Sequence, residues 1–166
     1  VEEQSATGLG ATANGSSVTI EADADMRVTV EAGYTEDRMV TTLAADENDI
    51  QGDVLIAGTA ETERILHMES NGYNAASTTV NAGGTLLIHG DADGGAPVSA
   101  HSGLLTGSGA VVVSDAAGTG ANATFDSMVD YTGDLRVEGD KATIQAQTGS
   151  FYGGSIHVAG QQAEVS

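Results

Sequence analysis

An all-β fold, built as a single-domain parallel β-solenoid, is what this chain predicts, and three observations carry that reading. A Gly-x-apolar-x-apolar motif returns at coil-length spacing, short runs alternate apolar with polar residues, and no segment holds the period of an amphipathic helix. The motif stands at Gly52-Asp53-Val54-Leu55-Ile56, Gly84-Thr85-Leu86-Leu87-Ile88, Gly109-Ala110-Val111-Val112-Val113, Gly133-Asp134-Leu135-Arg136-Val137 and Gly154-Ser155-Ile156-His157-Val158. Met26-Arg27-Val28-Thr29-Val30 reads as an earlier copy without the glycine. The first core positions, 28, 54, 86, 111, 135 and 156, are separated by 26, 32, 25, 24 and 21 residues, which are coil lengths.

In chain order, residues 1–16 read as a partly extended N-terminal arm and residues 17–166 as one solenoid domain of about six coils. Ser17-Val18-Thr19-Ile20 and Arg27-Val28-Thr29-Val30 alternate as half-buried strands, with the acidic turn Glu21 to Asp25 between them. Further strands are expected at Ile65 to Met68, Ser77 to Val80, Ala123 to Phe125 and Ala142 to Ala146, so that each coil holds two or three. Short helical turns are expected at 46–51, 60–64 and 126–129, all too short for an independent helix. The long step from 54 to 86 predicts an insertion around Glu61 to Ala76. The competing fold is an antiparallel β-sandwich or jelly roll, which also uses many short strands.

The stretches Thr79-Val80-Asn81-Ala82-Gly83-Gly84-Thr85-Leu86 and Tyr131-Thr132-Gly133-Asp134-Leu135-Arg136-Val137 resemble coils of right-handed parallel β-helices, the family of phage tailspikes, autotransporter passengers and pectate-lyase-like enzymes. The resemblance spans roughly residues 50 to 160. It implies a fold and leaves function open, because that architecture hosts spikes, adhesins and polysaccharide enzymes alike.

The charge balance narrows the setting. Twenty-four acidic residues stand against five basic ones, a formal net charge of −19, and Lys141 is the single lysine. Such self-repulsion is tolerated where concentrated counterions screen it. The composition resembles that of extreme halophiles, with an ordinary acidic secreted protein as the alternative. It argues against nucleic-acid binding, which needs a basic face. Absence of cysteine removes disulfides and thiolate metal sites, and apolar runs of about four residues exclude the roughly 20-residue span of membrane insertion. The N-terminal Val1 fits either methionine removal or cleavage of a leader or pro-segment.

Candidate sites follow from residue type and alternation. If Val54/Ile56, Leu86/Ile88 and Val111/Val113 point inward, then Leu55, Leu87 and Val112 point outward and stack as an apolar stripe. That stripe is the expected subunit interface, most naturally of a homotrimer. Asp91 and Asp93, in Asp91-Ala92-Asp93-Gly94-Gly95, offer hard oxygen ligands in one turn, as do Asp46, Asp49 and Asp53. Both clusters read first as solvated acidic turns, with a site for Ca2+ or another cation as the alternative and no further cofactor expected. The four histidines, His67, His89, His101 and His157, read as surface residues, since none pairs at helical spacing. No Gly-x-Ser-x-Gly elbow appears in a strand-turn-helix setting, and nothing selects a pair of carboxylates for glycoside chemistry. Asn14 and Asn122 head glycosylation sequons.

The expected function is that of a non-enzymatic structural surface protein. Its narrowest form is a virion component, a capsid decoration, turret or tail-spike subunit of a virus of a halophilic host. Loops at 61–76 and 91–103 would then contact host glycans or neighbouring capsid proteins. A secreted cell-surface adhesin or polysaccharide-binding module is the alternative, and a small β-helix glycan enzyme stands behind both.

Overall fold

A computed structural model describes residues 17–43, 47–90, 97–115, 118–151 and 154–166. Within them the elements are, in order, β1 (Ser17–Ile20), β2 (Asp25–Thr29), β3 (Arg38–Leu43), β4 (Glu47–Ile50), β5 (Asp53–Ala57), β6 (Glu63–Met68), β7 (Tyr73–Val80), β8 (Gly84–His89), β9 (Val98–Gly107), β10 (Ala110–Asp115), β11 (Ala121–Tyr131), β12 (Asp134–Gly139), β13 (Ala142–Phe151), β14 (Ile156–Ala159) and β15 (Glu164–Val165). All pair in parallel. The first sheet runs β1-β4-β7-β9-β11-β13-β15, with β2 on β5 and β5 on β7; the second runs β3-β6-β8-β10-β12-β14. Successive strands of one sheet lie a full circuit apart in sequence, which makes the chain a β-solenoid of about five turns and excludes the antiparallel sandwich.

Register fixes the coil length. In the second sheet Thr41, Leu66, Leu86, Val111, Leu135 and Ile156 are consecutive Cα partners, giving steps of 25, 20, 25, 24 and 21 residues. Beside them runs Leu43, Met68, Ile88, Val113, Val137 and Val158. The first sheet contributes Ile20, Ile50, Tyr73, Ala100, Ala123, Ile144 and Val165. These ladders face one another across a filled bore, with almost every member buried. Fully burying each Val, Leu or Ile contributes about 1.5–3 kcal/mol, so a bore of branched aliphatic side chains stabilises the stack without large aromatics.

The repeating glycine has a steric origin. A Cβ on Gly133 would fall on the carbonyl oxygen of Gly109, and one on Gly154 on that of Gly133. These residues stack at the corner that enters the second sheet, where one coil's backbone passes directly over the last.

Two corners impose the same demand, and this corrects the assignment of the copies. Gly52 precedes β5, in the first sheet, whereas Gly84 opens β8 and Gly109, Gly133 and Gly154 precede β10, β12 and β14, all of the second. The step from 54 to 86 therefore contains no insertion: β6 and the first half of β7 lie within Glu61 to Ala76 as regular rungs. Of the segments expected as helical turns, 126–129 lies wholly within β11 and 46–51 contains β4, whereas 60–64 contributes only Glu63 and Arg64 to β6. In the early coils the first sheet breaks at a corner, between β1 and β2 and between β4 and β5; from β7 onward one longer strand runs through it.

The bore also holds polar groups, each tied to a partner. Tyr73 Oη and Thr78 Oγ1 share a hydrogen bond at 2.8 Å, and Thr78 donates onward to Ser102 at 2.9 Å. The Arg64 guanidinium is fully buried, donating from Nε to the Thr29 carbonyl at 2.9 Å and from a terminal nitrogen to Thr41 Oγ1. Because Thr29 ends a strand of the first sheet and Thr41 lies in the second, Arg64 joins the two sheets from within. β1 begins at Ser17; residues 1–16, the expected arm, lie outside the described residues.

Candidate metal centre

On the outward face of the second sheet, alternation places His67, Glu69 and His89 on the solvent side of β6 and β8, opposite the inward Leu66, Met68 and Ile88. The 20-residue coil step sets Met68 beside Ile88, so the residues that follow them, Glu69 and His89, stand next to each other. His67 projects from the same face two residues before Glu69. Each of the three offers one ligand atom, and these atoms lie within 4.8 Å of one another. His67 Nδ1 is 3.4 Å from Glu69 Oε1, and the two imidazole rings tilt at 37° with centroids 5.5 Å apart.

The setting is half-dry. The His67 side chain is 16% exposed, and its Nε2 is buried with no hydrogen-bond partner. Burial lowers the His67 pKa, Glu69 opposes that shift, and His89 adds to it. The result keeps the imidazole in the neutral, lone-pair-bearing form that a cation takes as ligand. Two imidazoles and one carboxylate are a donor set for borderline transition ions, in contrast with the all-oxygen sets that calcium and magnesium prefer.

No family model, curated protein or solved structure matches this chain. What the site can do therefore rests on its own atoms.

The residues singled out in the sequence fall elsewhere. Leu87 and Val112 are direct register partners on the outward face of the second sheet and are half-buried. Their ladder continues to His67 on one side and to Arg136 and His157 on the other. Leu55 does not join them, because β5 belongs to the first sheet, where Leu55 lies between Arg27 and Thr79. The expected three-residue stripe is thus one apolar pair bracketed by polar neighbours, and a separate leucine on another face.

Asp49 is exposed and accepts from Gln51 Nε2 at 2.9 Å; Asp53 accepts from Ser77 Oγ at 2.7 Å. Asp46, Asp91, Asp93 and Asn14 lie outside the described residues. Asn122 sits on β11, its side-chain carbonyl accepting from Thr143 Oγ1 at 2.7 Å. His101 faces Asp126 at 3.0 Å. The clustering of His67 with His89 has no signature at helical spacing, because the two belong to successive coils. The signal that finds it is the alignment of Leu66-His67-Met68-Glu69 over Leu86-Leu87-Ile88-His89.

Proposed function

We propose that this chain is a non-enzymatic structural protein, displayed on the outside of a particle or cell and adapted to high salt. In its narrowest form it is a virion surface component of a virus of a halophilic host. The observation that carries the reading is the allocation of side chains. Apolar residues from Ile20 to Ile144 converge into one filled bore, while the outside carries most of a net charge of −19. A rod so built contributes stiffness and a charged exterior, and its interactions belong to its surface.

Self-association, expected as a trimer, is part of the same proposal. Its support lies in β14, since Leu55, Leu87 and Val112 do not form one stripe. Ile156 and Val158 are 53% and 45% exposed, although every earlier member of their two ladders is buried. Exposed strand edges with apolar side chains favour a further layer of protein, be it a second copy or more of the same chain.

The test is light scattering with circular dichroism in about 1 M KCl, where the Debye length is about 3 Å, and again in dilute buffer. A folded oligomer in salt that dissociates or unfolds on dilution is the expected result. A stable monomer under both conditions overturns the reading in favour of a secreted binding module.

A further inference from the structure

We propose that His67, Glu69 and His89 bind one divalent transition-metal ion of the zinc class, which staples β6 to β8. The argument begins from convergence. Three donors from two successive coils have ligand atoms within 4.8 Å of one another. In a tetrahedral zinc site with bonds of about 2.0–2.1 Å, neighbouring ligand atoms stand about 3.3 Å apart. His67 and Glu69 already approach to 3.4 Å, and with all three ligand atoms within 4.8 Å of one another the set needs to draw in by no more than about 1.5 Å.

The His67 nitrogen that faces Glu69 is Nδ1, so ligation there leaves the buried Nε2 to carry the ring proton. The imidazole pair then selects the ion, since nitrogen donors suit Zn2+, Cu2+ or Ni2+ and not the hard cations that an acidic surface gathers non-specifically. Three protein ligands leave the fourth position to water.

A plain ion pair between His67 and Glu69 is the competing account, and it makes no use of His89. The full chain is titrated with Zn2+ by calorimetry in about 1 M KCl, where diffuse binding to exposed carboxylates is screened, and melted with Zn2+ or Ca2+. One equivalent of Zn2+ bound, with a rise in melting temperature that Ca2+ does not reproduce, is expected. His89→Ala should weaken the affinity by at least about 10- to 100-fold, the range that loss of even an outer-shell partner produces, and should abolish the rise. Glu69→Gln serves as the second variant, because its side chain is 43% exposed and its replacement does not disturb packing; it should weaken binding in the same direction. No zinc binding by the wild-type chain, or equal binding by the wild-type and both variants, overturns the proposal. Either result is separate from the oligomer measurement, so the metal site and the display reading fail independently.

Discussion

The carboxylate of Asp134 accepts both the backbone N–H and the hydroxyl of Ser155, each at 2.8 Å, and so ties one coil to the next. Those bonds, the backbone one foremost, lower the Asp134 pKa, with Arg136 assisting. A carboxyl lowered in the folded state contributes stability in full above its ordinary value of 3.8, and loses it as pH falls through the folded value. Protection of the Ser155 amide, its exchange relative to an unprotected amide at the same pH, should therefore fall in acid while that of Val113, deep in the bore, does not. Asp134→Ala should give the reduced protection already at neutral pH, costing about 1 kcal/mol or less at so exposed a site. Identical Ser155 exchange in the two proteins at pH 7 would show that the bonds add nothing.

Gly133→Ala should be among the most damaging single changes in the chain. Its methyl group would collide with the Gly109 carbonyl, a backbone atom held by its own coil. We expect more than about 4 kcal/mol, or failure to fold. Gly33→Ala is the control: the residue has φ of 87°, but an added Cβ meets nothing within 4 Å, so only the left-handed backbone costs, at about 1–2 kcal/mol. Denaturant midpoints rank the two, and comparable losses would refute the steric account of the motif.

That same steric demand explains how far the fold was legible. Glycine followed by alternating aliphatics reports a chain passing over its predecessor, and Gly109, Gly133 and Gly154 identify the solenoid. It does not say which corner is being passed. Gly52 and Gly84 obey one rule at different corners, so they were placed in one column, and Leu55 with them. β6 enters the second sheet with Glu63 and Arg64 in place of glycine, which hid it as a rung. The His67–Glu69–His89 cluster was illegible for a related reason: His67 and His89 meet only once the short 20-residue step between Leu66 and Leu86 is known.

Thr41→Val should cost about 1–3 kcal/mol, because it removes an acceptor from a buried charged donor while keeping the side chain's shape. Arg64→Met removes the buried charge together with its need for partners, and leaves the Thr29 carbonyl and Thr41 hydroxyl to adjust. The two residues touch, so the double variant should be less destabilised than the sum of the singles. Strict additivity in urea denaturation would show that the Arg64–Thr41 bond is energetically silent.

Tyr73 and Tyr131 provide an optical test of the bore. Burial pushes both phenols well above their ordinary value of 10.0, and for Tyr131 the nearby Asp134 carboxylate pushes the same way. A phenol raised in the folded state stabilises below pH 10 and loses that contribution as pH rises towards the folded value, because only the unfolded chain ionises there. Spectrophotometric titration should show two phenols still protonated well above pH 10, released together with the loss of β-sheet dichroism. Tyr73→Phe and Tyr131→Phe should each remove one of them. Tyr131→Phe should be the costlier, at about 1–3 kcal/mol, since its single hydroxyl proton is shared between the Gly109 carbonyl at 2.7 Å and that of Asp134 at 3.2 Å. With Tyr73→Phe the Thr78 hydroxyl keeps Ser102 as acceptor. If all tyrosines ionise in one step near pH 10 while the dichroism is unchanged, the bore is open to hydroxide and the packing described here is wrong.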